Sequence, residues 1–174
     1  SFFTRKFNLS LSHEEVLNVY YEERAKVERK IKIKKQKGFL KFLQLMHSLE
    51  LKVVAYGGAP LEYFTKHTGK YVHFFSDVKY IRTHKMRPGI KEIAKGVYNL
   101  KYNQVLFIDE ENTVALAARK YKVPFIGMPS FKKGFQKEEM KKTNVKYLVR
   151  SLNEIDLTLL RKIDRDAGEN AVWK

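Results

Sequence analysis

Residues 105–108 read valine, leucine, phenylalanine, isoleucine, four apolar side chains in succession, and the run stops at Asp109 and Glu110. Successive side chains of a strand point to opposite faces, so a strand with no polar position is covered on both. Strands of that kind belong to parallel sheets carrying helices on either face. A single antiparallel sheet with one wet face does not accommodate this segment. The fold is thereby narrowed to a layered α/β arrangement, and the remaining segments are read against it.

Those segments supply helices and strands in alternation. "LSHEEVLNVYYEERAKVERK" (11–30) opens with Ser12 as N-cap and Glu15 three residues later, a capping box, and then spaces Val16, Val19, Tyr20 and Val27 at helical intervals. "KGFLKFLQLMHSLE" (37–50) places Phe39, Phe42, Leu43 and Met46 on one face of a second helix. "LKVVAYGGAP" (51–60) is a β-branched run closed by two glycines and a proline, a strand followed by a tight loop. "YVHFFSDVKYI" (71–81) reads as extended and "PGIKEIAKGVYNL" (88–100) as a helix with proline in its first turn. "QVLFIDE" (104–110) is a strand, "ENTVALAARKY" (111–121) a helix, and "KVPFIGM" (122–128) and "VKYLVR" (145–150) are short strands. A closing helix, "SLNEIDLTLLRKI" (151–163), is expected to be capped by Ser151. The expectation is a Rossmann-like parallel sheet flanked by helices, reached by right-handed crossovers, with a short N-terminal helical segment. The 174 residues suit one domain: a helical lead with a basic link over 1–36, a core over 37–163 and a tail over 164–174.

Composition bears on partners more than on fold. The chain carries a formal charge of +16, which attracts polyanions such as nucleic acid. Lysines gather in "AKVERKIKIKKQK" (25–37) and again in "FKKGFQKEEMKK" (131–142). Two readings stand for the first cluster: a solvated face, or a nucleic-acid contact through Lys30, Lys32, Lys34, Lys35 and Lys37. With no cysteine there is no disulfide framework, thiolate metal site or cysteine nucleophile, and an intracellular address is expected, cytoplasmic or in an organelle matrix. No apolar run approaches the roughly 20 residues of a membrane helix, so no membrane partner is expected. "SFFTRKFNLSLS" (1–12) is basic and free of acids; it fits the remainder of a targeting segment or an ordinary lead into the first helix. The five histidines have no metal-ligand spacing, and the aromatics show no aromatic-and-glycine signature of an RNA platform.

In a parallel α/β sheet ligands bind beyond the carboxyl ends of the strands. Gly57, Lys85, Asp109 and Glu110 are placed there by the segment order. Paired acids after a buried strand suit Mg²⁺, which takes oxygen ligands and keeps waters for a phosphate. The same acids equally suit the first turn of the next helix, whose dipole favours negative charge.

Taken together, residues 35–163 resemble the haloacid dehalogenase superfamily, mostly Mg²⁺-dependent phosphatases. "KGFLKFLQLMHSLELKVVAYGG" is similar to that family's helix and second-motif strand. "KMRPGIKEI" follows the lysine, x, x, proline pattern of its third motif, and "VLFIDEENTVALAARKYKVPFIGM" resembles its fourth, with paired acids. "VKYLVRSLNEIDLTLL" is similar to its last strand and helix. The resemblance implies that Lys85 steadies the phosphoryl group, that Asp109 with Glu110 holds Mg²⁺, and that the substrate is a phosphorylated small molecule. The second motif's usual serine or threonine is replaced by Gly57 and Gly58, whose backbone N–H groups are left to contact phosphate; the other reading of these glycines is a tight turn.

The family's first motif, a strand ending in aspartate, x, aspartate, is not found between residues 1 and 37. In the family that strand lies centrally, between those corresponding here to 51–56 and 104–108. Three explanations are open: a nucleophile strand preceding this segment, a gap filled by another chain or a rearranged strand in a protein without catalysis, or a permutation using Asp164 and Asp166 of "KIDRDAGE" (162–169). Two functions follow from different classes. One is Mg²⁺-dependent phosphomonoester hydrolysis if a nucleophile is supplied; the other is an inactive basic module that binds RNA or a ribonucleoprotein assembly.

Overall fold

The computed structural model describes residues 12–30, 34–83, 88–129 and 134–173. The chain divides into two compact units, Ser1–Lys35 and Gln36–Lys174.

In the first unit, α1 spans His13–Lys30. Its expected capping box is formed: the Ser12 amide donates to Glu15 Oε2 at 2.6 Å and the Glu15 amide to Ser12 Oγ at 3.2 Å. Two of the four amides that a helix start leaves over are thereby used. Farther along, Arg24 pairs with Glu28 and Lys26 with Glu23, one helical turn apart. The apolar positions Val19, Tyr20 and Val27 remain exposed.

The second unit is mixed α/β and contains two small parallel sheets among its described residues. Helix α2 (Phe39–Ser48) precedes β1 (Ala55–Gly57), α3 (Leu61–Thr68) and β2 (Tyr80–Arg82), and β1 pairs with β2 in the register Ala55↔Tyr80, Tyr56↔Ile81, Gly57↔Arg82. The second sheet takes β3 (Phe107–Asp109), β4 (Phe125–Gly127) and β5 (Tyr147–Leu148) in that spatial order. Between them run α4 (Asn112–Lys120) and α5 (Gln136–Lys142), and α6 (Leu157–Gly168) follows β5.

The central strand β4 is buried at all three positions, and its alternation separates two cores. Phe125 joins Phe107, Val114, Ala118, Met140 and Val145. Ile126 joins Tyr147, Val149, Leu152, Ile155 and Ile163, against which Phe39 and Phe42 of α2 pack. The apolar face read in α2 is therefore the face it buries, with Leu43 and Met46 inside.

Four local expectations are corrected. Residues 71–81 were expected to be extended, but Gly69–Phe74 forms a 3₁₀ helix and only Tyr80–Arg82 is strand. The aromatics that raise β propensity there serve packing instead: Tyr71 meets Phe39 with ring centroids 5.7 Å apart, and Phe64 meets Phe75 at 5.2 Å and Tyr80 at 5.1 Å. The helix of 88–100 becomes a π-helix over Glu92–Val97, closed by Asn99 in the left-handed region. The closing helix starts at Leu157 rather than at Ser151, because the Asp156 carboxylate accepts the Leu159 amide at 2.8 Å, whereas Ser151 makes no side-chain cap bond. The closing helix also runs on to Gly168, past the 163 expected for it. Asp164 and Asp166 lie on α6 rather than after a strand, Asp166 meeting Lys146 and Tyr147 at the start of β5, and Trp173 stacks on Phe125 at 6.0 Å while its indole N–H donates to the Val123 carbonyl at 3.1 Å.

Candidate functional site

The expected cluster at the strand ends is partly assembled. Gly57 closes β1 and Asp109 closes β3, each at the carboxyl end of a parallel strand. Glu110 follows on the surface. Lys85 lies outside the described residues, as does Lys32 of the basic cluster.

What joins β1 to β3 is a side chain that the sequence reading passed over. The phenol of Tyr56 donates to Asp109 Oδ2, and its oxygen lies 3.4 Å from the Ile108 carbonyl. Its ring stands edge-on to Phe107, with centroids 5.4 Å apart. The other carboxylate oxygen, Oδ1, accepts the Glu111 amide at 2.8 Å, and the Asp109 carbonyl accepts the Met128 amide at 2.9 Å. Asp109 is thus tied to two strands and to the entry of α4.

Electrostatics follow from this burial. Desolvation pushes the Asp109 carboxyl above the usual carboxylate range, opposed by the hydrogen bonds from Tyr56 and the Glu111 amide. Burial first, and the adjacent Asp109 charge second, push the Tyr56 phenol far above the usual tyrosine range, so it remains a donor. A cation approaching Oδ2 along the Tyr56 direction would meet the phenolic hydrogen. Glu110 is exposed, and among the described residues no three histidine or acidic side chains gather around a common point. Of the two acids, the partly buried Asp109 is engaged on both oxygens and Glu110 is on the surface.

Gly57 also has a close packing neighbour. Neither Gly57 nor Gly58 has a left-handed φ. A Cβ on Gly57 would lie 3.3 Å from the Tyr80 phenolic oxygen, and that phenol donates to the Ala59 carbonyl at 2.8 Å. The Gly57 carbonyl accepts the Thr83 amide at 2.7 Å. A side chain at 57 would therefore need the Tyr80 phenol to give way by a few tenths of an ångström.

The entry of α4 is clamped from the other side. The Asn112 amide donates to Gln136 Oε1 at 2.8 Å, and Asn112 Oδ1 accepts the Thr143 hydroxyl at 2.8 Å, so both ends of α5 are pinned to the start of α4. Of the basic cluster, Lys30, Lys34 and Lys35 are exposed in the first unit and Lys37 is exposed in the second. Tyr56 could have been found in the sequence only as an aromatic one residue before a strand-end glycine, a weak signal without its partner at 109. Among the described residues no helix is long and apolar enough to cross a membrane. Compared with models of protein families and with curated proteins, the chain matches none.

Proposed function

We propose that this chain is a haloacid dehalogenase-like domain whose Asp109 has become structural, and that it acts as a basic module binding RNA. The observation that carries the reading is the Tyr56 phenol on Asp109: the carboxylate that the resemblance assigns to Mg²⁺ instead ties β3 to β1. The spatial order supports the family resemblance, since β1 and β2 form one sheet and β3, β4 and β5 another. In that family a further strand lies between those two groups, and here a tyrosine side chain bridges them. The charge of +16 supports the polyanion partner, because neutralised phosphates release counterions and make binding favourable and salt-dependent.

Equilibrium binding of the full chain to a structured RNA with loops, measured across a salt series, tests this reading. The expected result is tight binding at low salt with a steep negative slope of log K against log salt, about 0.7 to 0.9 for each phosphate met. The competing reading is Mg²⁺-dependent phosphomonoester hydrolysis by Lys85, Asp109 and Glu110. Calorimetric Mg²⁺ binding, together with phosphate release that Asp109→Asn abolishes, would establish it in place of ours. Absence of RNA binding at low salt would remove the basic-module reading.

A further inference from the structure

A patch on the second unit combines aromatic rings with unpaired positive charge. Tyr102 and Tyr121, nineteen positions apart in sequence, stack with centroids 5.1 Å apart and ring planes at 29°. Lys95 Nζ lies 5.1 Å from the Tyr102 centroid, and Lys120 Nζ lies 5.6 Å from the Tyr121 centroid. Both tyrosines are partly buried against the Phe107–Phe125 core, which holds the rings in place, while Lys95, Lys101, Lys120 and Lys122 are exposed. None of these four lysines makes an ion pair with a described acid, unlike Lys141 and Lys142 on α5, which are paired with Glu138 and Glu139.

From this arrangement we infer that Tyr102, Tyr121 and the lysines around them form a stacking site for unpaired bases of single-stranded RNA. The inference rests on the RNA-binding reading above and adds where and in what form the RNA is held. Each ring turns one face to the other, and the exposed lysines that lie over the rings can swing aside to admit a base, so the pair with four cations matches a strand that offers bases and phosphates at once. A duplex hides its base faces and would meet only the lysines.

Fluorescence anisotropy of the full chain with a labelled oligouridylate of about 12 nucleotides, a length within the span of known single-strand sites, and with a duplex of equal length, reads the two contributions apart. Tyr102→Leu and Tyr121→Leu keep an apolar side chain against the core but remove the π-face. Each is expected to weaken single-strand binding about tenfold, leave duplex binding nearly unchanged, and be rescued by phenylalanine. Lys122→Gly removes a charge where the backbone φ of 55° favours glycine, so the variant is expected to fold. Should a leucine variant unfold, Lys95→Gln with Lys122→Gly is compared with a control pair, Lys66→Gln with Lys162→Gln. The patch pair is expected to weaken single-strand binding at least fivefold more than the control, by the stacking and cation–π range for such sites. Leucine variants that bind oligouridylate like the parent, or lysine pairs that are equivalent, would overturn the site while leaving general RNA binding intact. Failure of the parent to bind either RNA would remove both.

Discussion

The phenol of Tyr56 at the end of β1 donates to the carboxylate of Asp109 at the end of β3, linking two sheets that share no backbone pairing among the described residues. Parallel strands ordinarily meet through their backbones. Here the join is one partly buried donor and one partly buried acceptor, so its loss is felt as an unsatisfied polar group rather than as a frayed ladder.

Tyr56→Phe is accordingly expected to lower stability by about 1–3 kcal/mol, since it keeps the ring against Phe107 and leaves Asp109 Oδ2 without its donor. Asp109→Asn keeps an acceptor for the Glu111 amide and is expected to be milder. Urea titrations of both single variants and the double give the coupling, expected within the roughly 0.5–3 kcal/mol typical of contacting residues. A zero coupling would mean that the bridge contributes nothing to the fold.

Two acids, Asp109 and Asp166, should give opposite pH slopes. Burial raises the folded pKa of Asp109 above its unfolded value, so in that window the folded state binds more protons and stability falls as pH rises. Asp166 behaves inversely: the Lys146 ammonium first, then the Tyr147 phenol, lower its pKa. Its contribution is present above the unfolded carboxylate value, near 3.9, and is lost as pH falls toward the lower folded value. Denaturation midpoints measured between about pH 3 and pH 7 should show Asp166→Asn losing the acid-side rise and Asp109→Asn losing the opposing fall.

Lys146 is the centre of that clamp, 2.5 Å from Asp166 Oδ2 and 2.7 Å from the Ala171 carbonyl, and it holds the segment that ends in Trp173. Trp173 is the protein's single tryptophan, so its fluorescence reports this corner alone. Lys146→Met should release the end of α6 and shift the emission of Trp173 to the red under native conditions. An unchanged spectrum would show that stacking on Phe125 suffices to seat the ring.

Gly127→Ala should be among the more damaging small substitutions. Its Cβ would fall 2.6 Å from Met140 Sδ and 2.7 Å from Leu148 Cδ2, in the middle of the second sheet. Overpacking of this kind costs about 1–3 kcal/mol, and shortening the opposing side chain with Met140→Ala should recover part of the loss in the double variant. Independent, additive losses in thermal melts would argue against the clash.

Much of the local structure was legible in residue patterns. The capping box of Ser12 and Glu15, the buried face of α2 and the apolar-on-both-faces run into Asp109 each follow from contacts within a few residues. Where the reading failed, a distant partner intervened: Phe39 and Phe64 recruited the aromatics of 71–75, and the carboxylate of Asp156 outcompeted Ser151 as a cap.

Periodicity, charge and capping are properties of neighbouring residues, so the alternation of helices and short apolar strands, the positive charge and the placement of Asp109 at a strand end are legible in residue order alone. What Asp109 touches and which tyrosines stack emerge only on folding, because Tyr56 lies 53 positions before Asp109 and Tyr102 reaches Tyr121 only when β3 and α4 pack together. Partners that distant leave no spacing to read, and burial, which sets the protonation of both Asp109 and Tyr56, exists only once the core has closed around them.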